Sequence, residues 1–130
     1  MRYFLVITLI FLFFRSEASG QGELLCCDFY RILNTSGNVL LLDVQSKEEY
    51  QKHRIPDHIY AGQKSILLDV VAKVNKKTKI LVYCTEGKRS ASVLEILKKR
   101  GYTNVFHLKG GIIKWEKESF PVDSTLIEIP

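Results

Sequence analysis

Cysteine is scarce in this sequence, and the apolar residues form no run long enough to cross a membrane. The 130 residues include three cysteines, an odd and small number that does not fit a fold held together by disulfides. The longest apolar run spans the 12 residues 3–14, well short of the roughly 20 that a transmembrane helix needs. No internal repeat or low-complexity tract occurs, and a hydrophobic content of 46% with 25% charged residues is that of an ordinary globular domain.

The basic residues do not form the pattern that is typical of a nucleic-acid-binding protein. The formal net charge is +5, but the lysines and arginines are scattered near the ends of expected helices and strands, without a basic stripe interleaved with aromatic residues. We therefore interpret the excess as a solvated surface and expect no nucleic-acid partner. Such a surface still favours small anionic substrates. The length suits one hydrophobic core and is too short for two.

The N-terminus has the composition of a secretory signal peptide. Arg2 precedes the apolar run and small residues follow it, so cleavage is expected after Ala18, with Ser16 at the minus-three position, or after Gly20. An uncleaved membrane anchor and a buried N-terminal helix are the alternatives. The run is short for the first and has no polar face for the second. We predict a signal peptide over residues 1–20.

Export would place residues 21–130 in the periplasm or outside the cell as one domain, in contact with a membrane only through an uncleaved signal segment. Cys26 and Cys27 follow early in this domain. Neighbouring Cα atoms lie only about 3.8 Å apart, too close for an ordinary disulfide, so both side chains are expected to pack as free thiols. A reactive thiol in an oxidising compartment needs protection or a reducing partner, which makes a thiol-redox protein a candidate partner.

Short apolar runs alternate with segments of helical periodicity. We expect strands at residues 39–44, 59–61, 79–83 and 105–108, and helices at residues 28–34, 46–53, 66–74, 90–100 and from Gly110-Gly111 to about residue 117. Ser46 and Glu49 have the spacing of a capping box. The fold class is therefore α/β, a three-layer domain with a mostly parallel central sheet and helices on both faces. Ligands of such sheets bind beyond the carboxyl ends of the strands, where Cys84 lies.

The segment after Cys84 has the features of an anion-binding loop. Gly87 allows a tight turn, and the backbone N–H groups of residues 85–89 would form a nest beside the free N–H groups of the next helix. Lys88 and Arg89 add positive charge. These features stabilise a thiolate, which is a nucleophile without a separate base. No histidine lies near this segment in the sequence, and none is expected to take part.

Two segments carry a family resemblance: LLDVQSKEEYQKHRIPDHI at residues 41–59 and ILVYCTEGKRSASVLEILKKRGYTNVFHLKGGIIKW at residues 80–115. In order and spacing they resemble the rhodanese homology domain over nearly all of residues 21–130. The resemblance implies a sulfurtransferase: the thiolate of Cys84 takes the outer sulfur of thiosulfate or a related small anionic donor as a persulfide. It then passes that sulfur to a thiol or cyanide acceptor. Neither a cofactor nor a metal is implied.

The resemblance also implies roles for individual residues. Cys84 would be the catalytic residue, and the substrate-binding residues would be Thr85, Glu86, Gly87, Lys88, Arg89 and Ser90. The backbone of residues 85–89 would hold the persulfide, while Arg89 and Lys88 would attract the donor. Ser90 would donate into the loop and start the helix, or cap the helix alone. Asp43 would support the site by ordering loops, and Gly110-Gly111 and Trp115 would be structural.

Two other functions are weighed against sulfur transfer. Phosphatases and arsenate reductases of related fold have five residues between cysteine and arginine, whereas four separate Cys84 from Arg89, which favours the smaller sulfane sulfur. A rhodanese-like sensing or binding module without turnover is the second alternative, although such modules commonly lack the cysteine. The chain departs from the family at Gln45, where arginine is usual, and within residues 53–58, which makes His53 and His58 weak candidates for catalysis or metal binding.

Overall fold

The structure is a computed structural model that describes residues 22–128. The predicted signal peptide and its cleavage positions lie outside the described residues, and export therefore stays a prediction. Strands and helices alternate as β1 Gly22–Leu24, α1 Cys26–Thr35, β2 Val39–Asp43, α2 Lys47–Lys52, β3 Ile59–Tyr60, α3 Lys64–Ala72, β4 Lys79–Tyr83, α4 Lys88–Lys99, β5 Val105–Leu108 and α5 Gly111–Lys117. Within residues 22–128, no helix combines the length and apolar character needed to cross a bilayer.

One parallel sheet forms the middle of the domain. Its strand order is β1-β5-β4-β2-β3, and each neighbouring pair is parallel, so the α/β fold class is confirmed. β4, which leads to Cys84, is the central strand. The sequence did not predict β1, an edge strand that pairs with β5 and places Glu23 opposite His107. Three residues are too few to display strand periodicity, and β1 forms because β5 offers it a free edge.

Alternate residues of the central strands face opposite helical layers. On β4, Ile80 and Val82 pack in a buried cluster with residues of α3 and α4. Leu81 and Tyr83 pack in a second buried cluster with residues of α1 and α5. Helices therefore cover both faces of the sheet, as the continuous apolar strands predicted. Cys84 continues the row of Ile80 and Val82 and belongs to the cluster on the α3 and α4 side.

Helices α1, α3 and α4 each begin two residues earlier than the sequence predicted. Helix α4 starts at Lys88 rather than at residue 90, because Gly87 takes a left-handed φ of 98° and serves as its N-cap. Helix α1 starts at Cys26 and buries that side chain, whereas Cys27 is exposed. The expectation that both neighbouring cysteines pack is therefore right for Cys26 and wrong for Cys27, and both thiols are free.

Replacement of Trp115 by alanine should strongly destabilise the fold. The indole is 1% exposed, contacts the rings of Phe29 and Phe120, and donates from Nε1 to the Pro121 carbonyl at 2.8 Å. Trp115→Ala should lower the free energy of unfolding by about 3–5 kcal/mol, measured by urea denaturation. Ile113→Ala, on the exposed side of the same helix, is the matched control and should change it by about 0.5 kcal/mol or less. Equal losses in both variants would contradict the assignment of this core.

Candidate active site

Cys84 lies at the bottom of a pocket at the carboxyl end of β4. Its side chain is buried, yet it lines a cavity of about 380 Å³ together with Glu49, Thr85, Glu86, Lys88 and Arg89. The structure therefore brings the predicted nucleophile and most of the predicted binding residues to one concave site. The position matches the rule that parallel sheets bind ligands beyond the carboxyl ends of their strands.

Two backbone N–H groups point at the sulfur. The N–H of Gly87 donates to Cys84 Sγ at 3.1 Å and the N–H of Ser90 donates to it at 3.3 Å. Both amides belong to the N-cap and first turn of α4, where amides have no acceptor within the helix. They supply hydrogen bonds and the positive end of the helix dipole to a thiolate or a bound anion.

Ser90 does more than cap the helix. Because α4 begins at Lys88, Ser90 is the third helical residue, and Gly87 occupies the N-cap, so the alternative of helix capping alone is wrong. Its fully buried hydroxyl lies 3.1 Å from the Gly87 carbonyl and 3.5 Å from Cys84 Sγ. Ser90 therefore touches the sulfur with both its amide and its hydroxyl.

The N-terminus of α5 binds the same loop through its backbone carbonyls. The N–H groups of Ile112 and Ile113 donate to the carbonyls of Cys84 and Thr85 at 2.9 and 3.2 Å. This approach requires glycine at position 111, which has a φ of +62° and where a β-carbon would overlap the carbonyl group of Thr85. The Gly110-Gly111 pair, expected to be structural, thus fixes the backbone that carries the thiol.

Asp43 lies beneath the site and outside the pocket lining. The buried carboxylate accepts hydrogen bonds from the hydroxyl of Tyr83 and from the backbone and side chain of Gln45. Burial raises the pKa of Asp43, and the hydrogen bonds from Tyr83 and Gln45 oppose this. This geometry fits the expected role in ordering loops, since these bonds join the ends of β2 and β4.

Gln45 connects that buried network to the active-site loop. Its side chain is fully buried and donates to Asp43 and to the His53 carbonyl. Its Oε1 lies 3.0 Å from the Thr85 hydroxyl oxygen. The family usually has arginine at this position. Gln45 places an uncharged amide there, which contacts Asp43, the His53 carbonyl and the Thr85 hydroxyl.

Glu49 lines the pocket, a position that the sequence did not predict. Its Oε2 accepts from the hydroxyl of Thr85 and from Arg89 Nη1 at 3.4 Å. The Thr85 hydrogen bond, chiefly, lowers the pKa of Glu49, and the charge of Arg89 contributes. The capping box with Ser46, which was predicted, is present. Its second role could be found only once β2 and β4 were known to be neighbours.

Of the three histidines, His107 contacts the site, and the other two do not line the pocket. His53 pairs with Glu116 at 2.8 Å and His58 with the hydroxyl of Tyr50 at 2.6 Å, and neither lines the pocket. No histidine lies near the cysteine loop in the sequence, but the fold brings one to it. His107 Nδ1 is 3.1 Å from the Ser90 hydroxyl, although His107 follows the loop only after the whole of α4 and the start of β5.

The site is thus a thiol held by helix amides at the carboxyl end of the central strand of a parallel α/β sheet. The profile of the rhodanese-like domain matches residues 28–118, and the chain belongs to this family. A protein named "Sulfurtransferase" from Allochromatium vinosum is 31% identical over 85 residues, which cover 65% of this chain and 78% of that protein.

Another relative is "Thiosulfate sulfurtransferase GlpE" from Pseudomonas savastanoi pv. phaseolicola, 30% identical over 76 residues that cover 58% of this chain and 71% of that protein. The crystal structure of a rhodanese-related protein from Thermoplasma volcanium is similar with a TM-score of 0.66 and 27% identity, over 79% of this chain and 98% of that chain. These relatives support sulfur transfer at the level of the family.

The close approach at Gly111 can be tested against a glycine that also has a positive φ but has no atom close to the position of a β-carbon. Gly101 has a φ of +88°, and no atom lies within 4 Å of the position that a β-carbon would take there, so Gly101→Ala should cost about 1 kcal/mol of unfolding free energy. Gly111→Ala should cost a further 1–3 kcal/mol, roughly the scale of overpacking, and should slow alkylation of Cys84 by iodoacetamide. Urea denaturation and peptide mass spectrometry measure both effects. A Gly111→Ala variant no worse than Gly101→Ala would contradict the contact.

Proposed function

We propose that this protein is a sulfurtransferase that carries sulfane sulfur as a persulfide on Cys84. The observation that carries the proposal is the position of the Cys84 sulfur, which faces a pocket while two backbone amides donate to it. The thiolate attacks the outer sulfur of thiosulfate or a related donor, and the sulfur–sulfur bond of the donor breaks. Sulfite leaves with the electron pair. An acceptor thiolate or cyanide then attacks the outer sulfur of the persulfide and releases the Cys84 thiolate.

The first turn of α4 supports an anionic donor. This turn contains Lys88 and Arg89 and no acidic residue, although cations at a helix N-terminus oppose the helix dipole. Positive charges that lower the stability of a helix are expected where they contribute to ligand binding. Both side chains line the pocket, where they would meet the sulfonate oxygens of thiosulfate and of the leaving sulfite.

The loop supports sulfur over phosphate. Only Thr85, Glu86, Gly87 and Lys88 separate Cys84 from Arg89, and the amides of Gly87 and Ser90 already converge on the sulfur itself. Arg89 Nη1 lies 3.1 Å from the Val44 carbonyl and is directed towards Glu49. A phosphoryl group bound to Cys84 would need several loop donors for its oxygens, whereas a persulfide adds a single sulfur that extends from Cys84 into the pocket.

Replacement of Cys84 tests the proposed reaction directly. Cys84→Ser should abolish thiocyanate formation from thiosulfate and cyanide, because a hydroxyl forms no persulfide under these conditions. Cys27→Ser, which removes the exposed thiol, is the matched control and should keep full activity. Mass spectrometry after incubation with thiosulfate should find one added sulfur on the peptide that contains Cys84. Equal turnover by Cys84→Ser and the parent protein would refute the proposal, and a stable persulfide without turnover would favour a sensing module.

The ion pair between Arg89 and Glu49 predicts opposite effects for two substitutions. Arg89→Ala should weaken thiosulfate use by about 1–2 kcal/mol, or roughly 5- to 30-fold in kcat/KM, at the lower end because the side chain is 47% exposed. Glu49→Gln should lower KM for thiosulfate, because it frees the guanidinium and keeps an oxygen for Thr85 and Ser46. Steady-state kinetics at low and high salt measure both. A higher KM in Glu49→Gln would mean that the carboxylate helps to bind the donor by positioning Arg89.

A further inference from the structure

Four side chains form a continuous chain of contacts from the edge of the sheet to the Cys84 sulfur. Glu23 Oε2 in β1 lies 3.3 Å from Nε2 of His107 in β5. Nδ1 of the same ring lies 3.1 Å from the Ser90 hydroxyl, which lies 3.5 Å from Cys84 Sγ. Cys84, Ser90 and His107 are all buried, so bulk water does not compete strongly for these contacts.

The chemistry of the four groups orders the protons along this chain. The carboxylate of Glu23 only accepts, so it favours the proton of a neutral His107 on Nε2 and leaves the lone pair of Nδ1 facing Ser90. The Ser90 hydroxyl then has an acceptor in Nδ1 as well as in the Gly87 carbonyl. The Cys84 thiol is placed to donate to the Ser90 oxygen. Cys84, Ser90 and His107 therefore each have a donor on one side and an acceptor on the other, and Glu23 is the final acceptor.

The surroundings of His107 favour the uncharged ring and place one carboxylate beside it. Burial lowers the pKa of His107, and the charge and hydrogen bond of Glu23 oppose that shift in part, so the ring begins uncharged with a pairing group at Nε2. The groups that face it are the Glu23 carboxylate from β1, the uncharged Ser90 from α4 and, as its β4 register partner, Val82. Lys109 lies 3.8 Å from the other oxygen of Glu23. A protonated ring would be paired with this carboxylate.

The pocket side does not supply a net charge that could replace such a proton acceptor. Its lining contains two carboxylates, Glu49 and Glu86, and two cations, Lys88 and Arg89, so the four formal charges cancel. Stabilisation of the thiolate from the pocket therefore depends on the amides of α4. His107 approaches the sulfur through Ser90, and it is not part of the pocket lining.

We propose that His107 is a positioning residue that accepts the proton of the Cys84 thiol through Ser90, with Glu23 pairing the resulting imidazolium; this rests on the proposed function of Cys84. The S–H bond breaks and the sulfur keeps the electron pair. Its proton passes to the Ser90 oxygen as the original hydroxyl proton passes to Nδ1 of His107. The net charge is unchanged, because the thiolate and the imidazolium that form carry opposite charges.

The test is the pH dependence of Cys84 alkylation in the absence of any sulfur donor. Iodoacetamide is uncharged and reports the thiolate, and peptide mass spectrometry separates Cys84 from the other two cysteines. His107→Asn places an amide near the position of Nδ1, which keeps a partner for Ser90 but takes up no proton. It should move the half-maximal pH of alkylation upward by about one unit, which lowers the rate about tenfold at pH values below both midpoints. His53→Asn, which changes a histidine that does not line the pocket and whose ring pairs with Glu116, should leave the profile unchanged.

Further variants separate the relay from a structural effect. Ser90→Ala should shift the profile in the same direction, and the double variant with His107→Asn should shift it no further, because both changes break one chain. Glu23→Gln should give a smaller upward shift. Superimposable profiles for His107→Asn and the parent protein, or independent shifts that add in the double variant, would overturn the relay. No sulfur donor is present in this assay, so its result does not depend on turnover. Turnover is tested separately with Cys84→Ser.

Discussion

A sulfur atom that carries negative charge while almost fully buried needs hydrogen-bond donors in place before the charge forms, because an unpaired buried anion is strongly disfavoured. Cys84 meets this constraint through the amides of Gly87 and Ser90. These amides are available only because the first turn of a helix leaves its N–H groups without internal acceptors. Helix α4 must therefore begin almost directly after β4. Gly87, with its left-handed backbone, makes the short connection.

The same short connection leaves the carbonyls of Cys84 and Thr85 facing away from the sulfur, and these also need partners in a buried site. The first amides of α5 meet that need, which is why Gly111 must allow the two backbones to approach so closely. One loop is thus held between two helix N-termini. The first donates to the sulfur and the second donates to the backbone behind it, so that the geometry of the site depends on the packing of α5 as much as on the loop itself.

The parts of this structure that could be predicted from the sequence are those specified by neighbouring residues. The runs at Val39–Asp43 and Lys79–Tyr83 are apolar on both faces and predict a covered parallel sheet, and Cys84 with the residues after it forms one continuous segment. Edge strand β1 could not be predicted, because three residues are too few to show the alternation of a strand. The roles of Glu49 and His107 could not be predicted, because their contacts form only when β2, β4 and β5 lie side by side. Their contacts belong to the sheet order, which a local pattern does not contain.

Glu49 and His107 reach the site differently: Glu49 lines the pocket, whereas His107 approaches the sulfur through Ser90. On the pocket side, Glu49 contacts Arg89 and Thr85, so under the proposed function it would compete with an incoming anion for the guanidinium. On the interior side, Ser90, His107 and Glu23 contact one another away from the pocket, where the proposed relay would act on the protonation of Cys84. A change in donor preference can therefore arise on the pocket side without altering the thiol, since the two sets of contacts share only the short loop from Cys84 to Ser90.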